Sequence, residues 1–190
     1  MKQDLLAHTK DVFNAFRVES IWLRTVFNIS DTLYSPDTKA ETILKRTAPQ
    51  FFADLNHILI EYWVLLVCRL TDPPRTGRRE NLTAQTLIEY LGKLGLLSAT
   101  IEAEAMALQQ YRDLLSTARN RVVSHADKET FLNPALLGTH SATQVTAFLE
   151  HLQVFNDIVG EVLGEGPLDF RSTSGPGDAL DLLRFLNNAT

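Results

Sequence analysis

Apolar residues recur at three- and four-residue steps along most of the chain. This spacing places them on one face of an amphipathic α-helix. In the first predicted helix, which covers residues 5–33, the apolar positions are Leu5, Val12, Phe16, Leu23 and Phe27. The sequence shows no paired stretches with the two-residue alternation of strands, so we expect no strand pairs.

Start and stop residues delimit the next helices. After a break near Pro36, a short helix is predicted around Ala40–Leu44. Thr47-Ala48-Pro49-Gln50 fits a capping box, in which the hydroxyl and the Gln side chain satisfy backbone donors of the first turn. The helix that it opens should run to about Thr71. It is apolar nearly all round, which predicts a central, buried position.

Three further main helices are predicted at 83–94, 98–125 and 142–163, with a second capping box at Ser141–Gln144. A Ser/Gly/Pro-rich connector follows at 171–177, and Asp178 is placed to cap a last short helix at 179–187. The sequence therefore predicts an all-α fold, an antiparallel bundle of about five main helices. We expect residues 1–165 to form the helical domain and residues 166–190 to form a tail with a flexible connector.

Composition and charge narrow the classes of function. A chain of 190 residues with 45% hydrophobic residues is typical of one globular domain, and a net charge of −5 argues against broad, non-specific binding to nucleic acid. Cys68 is the single cysteine, which suits a reducing compartment. The longest apolar segment, Ile58–Leu70, is short and contains Glu61 and Arg69. We expect a cytoplasmic protein without a membrane span.

Two stretches concentrate arginine. The first is the loop Arg75–Glu80, which contains three arginines and follows the helix stop Asp72-Pro73-Pro74. This loop has two interpretations: a contact with phosphate groups, or an ordinary solvated loop.

The second stretch is Ala118–Asp127, at the end of the predicted helix 98–125. On an ideal helix His125 continues the apolar stripe, Arg121 lies one turn before it, and Arg119 lies about 120° away. Two guanidiniums beside an imidazole suit a phosphate, because Arg offers a bidentate fork and His transfers a proton near neutral pH. Alternatively, these cations stabilise the helix end through the helix dipole.

The spacing Arg119-Asn120-(four residues)-His125 resembles the signature of the HEPN superfamily. In that signature four to six residues separate an Arg from a His, and a polar residue often directly follows the Arg. Four further segments resemble the AbiU-type abortive-infection subgroup of this superfamily. They are Pro49-Gln50-Phe51-Phe52, Arg69-Leu70-Thr71-Asp72-Pro73 with Glu80-Asn81-Leu82-Thr83, and Ser124-His125-Ala126-Asp127. The resemblance covers residues 13–162.

The resemblance implies a homodimer in which two copies of the motif face one cleft, and a metal-independent endoribonuclease of phage defence or toxin–antitoxin type. Arg119 would bind the scissile phosphate, Asn120 would orient it or hold the helix end, and His125 would act as general acid or base. Geometry adds Arg121 as a second phosphate contact. Asp127 would orient the imidazole, or else form a local turn bond. No cofactor or metal is implied.

A second class of function is open. Many proteins of this superfamily bind RNA or proteins without cleaving, so the chain could instead be a non-catalytic helical module in a defence or regulatory complex, with an antitoxin or other partner. The remaining histidines are His8, His57, His140 and His151, and their spacing does not fit a zinc site. Trp22 and Trp63 lie on apolar stripes and are expected in the core or at a dimer contact.

Overall fold

The computed structural model describes residues 2–36, 39–119, 140–172 and 175–189. Within these ranges the fold is all-α, as predicted, with seven helices and one very small hairpin. The elements are α1 (Lys2–Tyr34), α2 (Lys39–Thr47), α3 (Pro49–Thr71), β1 (Arg75–Thr76), β2 (Arg79–Glu80), α4 (Ala84–Leu94), α5 (Ala99–Ala118), α6 (Ala142–Leu163) and α7 (Ala179–Ala189). The predicted continuation of α5 to His125 lies outside the described residues.

Five helices, α1 and α3 to α6, enclose the main hydrophobic core. Each contributes the apolar stripe that its sequence spacing predicts. Phe16 of α1 meets Phe155 of α6 edge to face, with ring centroids 5.6 Å apart. Other fully buried members are Phe13, Leu66, Leu91, Leu108 and Phe148. The core therefore holds the ends of α3 and α5 in fixed relative positions.

Capping geometry confirms the predicted starts of α4, α5 and α6 and the predicted ends of α4 and α6. Thr83 and Ser98 accept hydrogen bonds from the backbone amides of the first turns of α4 and α5. Ser141 and Gln144 form the complete capping box at the start of α6. Gly95 and Gly164 end α4 and α6 in the left-handed conformation, which glycine adopts without a steric penalty.

The capping box predicted at the start of α3 is wrong. Thr47 is the last residue of α2, and its hydroxyl donates to the carbonyl of Ile43 at 2.7 Å. A hydroxyl engaged with the preceding turn cannot cap the following helix. The N-cap is Ala48, which forms no side-chain capping bond, and Pro49 begins the helix with a fixed φ.

The prediction that α3 has a central, buried position holds for only part of the helix. Its C-terminal half lies in the main core through residues such as Val64 and Val67, but Phe51 and Ile58 are 61% and 58% exposed. An all-round apolar sequence does not show which side has a packing partner. α3 is long and apolar enough to cross a membrane by length and composition alone, criteria that core helices also meet.

The expectation of no strand pairs is corrected by the hairpin of β1 and β2. Arg75 pairs with Glu80 and Thr76 with Arg79 in antiparallel register, and Gly77 at the turn has a φ of 60°. Two-residue strands are too short to produce a visible alternation of apolar and polar positions, so the sequence pattern could not reveal them.

The C-terminal tail packs on the bundle. Asp178 caps α7, as predicted, by accepting from the amides of Leu180 and Asp181. α7 contacts α1 and α2, and Leu183 lies in a second, smaller core with Leu33. The division between a domain at 1–165 and a tail at 166–190 stays a prediction.

Candidate active site at the end of α5

Arg119 directly follows α5 and keeps a helical backbone, with φ −57° and ψ −48°. Its side chain crosses to the end of α3, where Nη2 donates to Oδ2 of Asp72 at 3.2 Å. Asp72 is the first residue after α3, and its amide donates to the carbonyl of Cys68 at 2.7 Å. The packing of α3 against α5 therefore places a guanidinium and a carboxylate side by side.

Asp72 also binds a second guanidinium. Its Oδ1 accepts from Nη2 of Arg112 at 3.0 Å, and Nη1 of Arg112 donates to Asp113 at 3.2 Å. Burial lowers the pKa of Arg112, but the hydrogen bonds to Asp72 and Asp113 outweigh it and raise the pKa overall. Arg112 is thus a fixed cation that shares the charge of Asp72 with Arg119. Each carboxylate oxygen of Asp72 therefore has its own guanidinium partner.

Cys68 lies one turn before Asp72 and is 2% exposed. Burial raises the pKa of its thiol to about 11, and the charge of Asp72 adds to this while Arg112 and Arg119 oppose it. The group is therefore a neutral thiol near pH 7. A buried neutral thiol is a packing residue rather than a nucleophile.

A cavity of about 390 Å³ opens beside Arg119. Its walls come from α1, the end of α3, the hairpin and the residue after α5. The lining residues are Glu19, Arg69, Leu70, Asp72, Thr76, Glu80, Asn81, Leu82 and Arg119. Arg69 pairs with Glu19 at 3.3 Å on its rim. Segments 69–73 and 80–83, which carry the resemblance to the AbiU-type subgroup, therefore meet Arg119 at one place.

Asn81 fixes the wall of this cavity. Its Nδ2 donates to the carbonyl of Pro73 and to Oγ1 of Thr76, both at 2.8 Å. Its own carbonyl accepts from the hydroxyl of Thr86 at 2.6 Å. A single amide thus ties the chain after α3 to the hairpin. Asp72 and Asn81 lie within the segments that carry the family resemblance, but their roles are not visible in sequence because their partners are 47 and 5 to 8 residues away.

The chain matches a known protein family over most of its length. The family model described as HEPN_AbiU2 (AbiU2) matches residues 6–181, which is nearly the whole sequence. The chain belongs to this family. The predicted resemblance is confirmed, and the match extends beyond 13–162 at both ends and into the tail. Comparison with curated proteins finds no match, and comparison with solved structures finds none either.

Of the site residues expected for this HEPN_AbiU2 protein, the structure describes Arg119 alone. Asn120, Arg121, His125 and Asp127 lie outside the described residues. Their roles stay predictions, and so does the orientation of Arg119 relative to His125. The structure adds Asp72, Arg112 and Asn81 to the neighbourhood of the motif.

The other histidines of the AbiU2 chain lie apart from one another. His8 contacts the hydroxyl of Tyr90 at 3.4 Å, His57 lies 3.3 Å from Glu61, and His151 lies 2.7 Å from Glu104. Burial beside Tyr111 lowers the pKa of His140. Among the described residues, no group of three or more His, Cys, Asp or Glu side chains could hold a metal ion.

Proposed function

We propose that this abortive-infection HEPN protein is a metal-independent endoribonuclease that works in the cytoplasm. The observation that carries the proposal is the position of Arg119. This arginine pairs with Asp72 and lines a cavity together with residues of segments 69–73 and 80–83. A guanidinium with a fixed direction in a partly enclosed site stabilises the charge that develops on a phosphate during its transfer.

The proposed reaction is attack of the RNA 2′-hydroxyl on the adjacent phosphorus. A new bond forms between the 2′-oxygen and phosphorus, and the bond from phosphorus to the 5′-oxygen of the next nucleotide breaks. One proton leaves the 2′-hydroxyl and one is delivered to the leaving oxygen, so the reaction needs a general base and a general acid. His125 takes one of these roles, Arg119 binds the phosphate, and Asn120 orients it.

Arg121 and Asp127 complete the proposed site. Arg121 supplies a second contact to the phosphate oxygens, and Asp127 orients the imidazole of His125. Proton transfer and charge stabilisation are then both provided by side chains, and the proposed reaction requires no cofactor.

The proposed active form is a homodimer with both motifs at one cleft. The described structure offers an exposed apolar surface next to the cavity, which we call the α1–α3 face and define by Val18, Trp22, Ile58 and Tyr62. Val18 is 63% and Trp22 44% exposed, and Nε1 of Trp22 donates to the hydroxyl of Tyr62 at 2.8 Å. The pair of Glu19 and Arg69 joins this face to the cavity rim. An exposed apolar patch beside a site favours a contact with a second copy.

The test is cleavage of single-stranded RNA in the presence of EDTA. The parent protein should cleave, and His125→Ala and Arg119→Ala should each lose at least about a hundredfold in rate, as expected for a lost proton-transfer group or a lost oxyanion donor. Arg184→Ala, which removes an exposed arginine of α7, is the matched control. If both site variants cleave as fast as the parent, the assignment is wrong.

A second candidate is a non-catalytic interaction module in a defence or regulatory complex. The ion pairs of Asp72 with Arg112 and Arg119 favour it, because they tie α3 to α5 and so also have a purely structural use. This candidate predicts that His125→Ala lowers the melting temperature or the dimer affinity. It also predicts that neither the parent protein nor any variant cleaves RNA. An unchanged melt, together with loss of cleavage, would exclude it.

A further inference from the structure

The hairpin of β1 and β2 concentrates positive charge at the edge of the candidate site. Three arginines occupy five consecutive positions, 75–79, in a chain with a net charge of −5. All three are exposed.

The acidic residues of this region are already engaged. Arg75 pairs with Glu89 at 3.1 Å, and the carboxylate of Glu80 accepts from the hydroxyl of Tyr90 at 2.7 Å. Arg78 and Arg79, by contrast, form no ion pair with any residue that the structure describes. Two adjacent exposed guanidiniums that have no ion-pair partner among the described residues can both pair with an anionic ligand.

The hairpin forms one wall of the cavity beside Arg119. Thr76 of β1 and Glu80 of β2 both line this cavity. Arg79 directly precedes Glu80 in β2 and pairs with Thr76, and Arg78 follows Gly77 at the turn. The two arginines are therefore on the element that borders the cavity, next to its lining residues.

The hairpin is held rigidly enough to act as a fixed binding element. Asn81 bonds to Pro73 and Thr76, the amide of Asn81 donates to the carbonyl of Pro74 at 2.8 Å, and the pair of Arg75 and Glu89 fastens the first strand to α4. The backbone that carries Arg78 and Arg79 is therefore already ordered before a ligand binds, which lowers the entropy cost of binding.

We propose that Arg78 and Arg79 bind backbone phosphates of single-stranded RNA beside the phosphate held at Arg119. This inference rests on the proposed function, and it names the hairpin as the element that holds the flanking strand. Phosphate contacts of this kind set affinity and orientation and are independent of base identity.

The test measures binding without chemistry. The probe is a fluorescently labelled single-stranded RNA that is 2′-O-methylated throughout and so lacks the attacking hydroxyl. Anisotropy titrations at several salt concentrations compare the parent with Arg78→Ala/Arg79→Ala. The control is Lys45→Ala/Arg184→Ala, which removes two exposed cations from α2 and α7, helices that do not line the cavity.

The hairpin variant should bind roughly tenfold or more weakly near 0.1 M salt, and the dependence of log K on log salt should become shallower by about 1.4, the value for two lost contacts to a single strand. The control should bind like the parent. Parent-like affinity and salt dependence in the hairpin variant, or an equal loss in the control, would overturn the proposal.

The outcome is separable from that of the nuclease proposal. The methylated probe reports binding whether or not the protein cleaves RNA. Loss of binding without any cleavage by the parent would therefore retain the hairpin contact and reject the nuclease. Cleavage that depends on His125, with unchanged binding by the hairpin variant, would retain the nuclease and reject the hairpin contact.

Discussion

Asp72 and Arg119 are 47 residues apart in sequence, and their side chains meet 3.2 Å apart where α3 and α5 end. Since Arg112 binds the other carboxylate oxygen of Asp72, this one acidic residue orients two cations of the candidate site. An anionic substrate would compete with Asp72 for Arg119. The carboxylate therefore holds the guanidinium in place and also weakens its attraction for phosphate.

Asp72→Asn is expected to separate these two effects. The amide keeps the shape of the side chain but removes the charge, so the site becomes more positive while Arg119 loses its anchor. In RNA cleavage, KM should fall or stay constant and kcat should fall about tenfold or more, because misplacement of a charge-stabilising group affects the transition state most. Steady-state kinetics on single-stranded RNA measure both quantities.

Asp72→Glu is the matched variant for this experiment. It restores the charge and should recover part of kcat, whereas a residue needed only for packing would show no such rescue. The melting temperature of Asp72→Asn should also fall, by the equivalent of about 1–3 kcal/mol, because two partly buried guanidiniums lose their carboxylate. An unchanged kcat would show that Asp72 does not position Arg119 for catalysis.

The helices themselves were largely predictable from sequence, and the reason is local. Ser141 and Gln144 lie three residues apart and form their capping box within one turn. Thr47 and Gln50 have the same spacing but do not, because α2 extends through Thr47 and engages its hydroxyl. The same local pattern therefore forms a capping box only where no preceding helix engages the hydroxyl.

The candidate site was predictable only in part. The spacing of Arg119 and His125 is visible in sequence, but Asp72 becomes a partner only through the packing of α3 on α5. The same holds for Asn81, whose contacts depend on a hairpin of two-residue strands. Side chains joined by tertiary packing leave no periodic signal in one sequence.

Gly160 of α6 gives a sharp test of packing between α1 and the tail. A Cβ at this position would lie 2.3 Å from Nη2 of Arg17 and 2.4 Å from the carbonyl of Gly166. Arg17 itself donates to that carbonyl at 2.7 Å. Gly160→Ala must therefore displace backbone as well as a side chain, and should lower the free energy of unfolding by about 1–3 kcal/mol in urea denaturation.

Gly92 of α4 is the control for Gly160. Among the described residues, a Cβ at Gly92 would meet Cδ2 of Leu97 alone, at an ordinary 3.8 Å. Gly92→Ala should be neutral or stabilising by up to about 1 kcal/mol, because alanine has the higher helix propensity. Equal effects of the two substitutions would mean that the contact of Arg17 with Gly166 is not maintained in solution.

Trp22 tests the α1–α3 face as the contact between two copies. Trp22→Glu places a charge on an exposed apolar surface and should shift the protein to the monomer in sedimentation velocity. Phe185→Glu is the control, since Phe185 is an exposed aromatic residue of α7, the helix that packs on the second, smaller core. If Trp22→Glu sediments like the parent while keeping its helical circular dichroism, this face is not the dimer contact.

The buried thiol of Cys68 should make the folded protein lose stability at alkaline pH. The folded protein keeps the thiol neutral up to a pKa of about 11, while the unfolded chain ionises near the ordinary value of 9. The folded state therefore binds the additional proton between these two values, and its stability falls as pH rises through that window. The slope from this group approaches about 1.4 kcal/mol per pH unit, with a total of up to about 3 kcal/mol.

Cys68→Ala isolates this contribution. Burial and the bond to Glu80 raise the pKa of Tyr90 to about 12, so Tyr90 adds its own alkaline destabilisation, but equally in both proteins. In urea denaturation between about pH 8 and 11 under reducing conditions, the parent should lose stability more steeply than Cys68→Ala, and the two curves should approach each other at high pH. Parallel curves would show that the thiol ionises as readily in the folded protein as in the unfolded chain. Cys68 would then not be buried beside Asp72 at the end of α3.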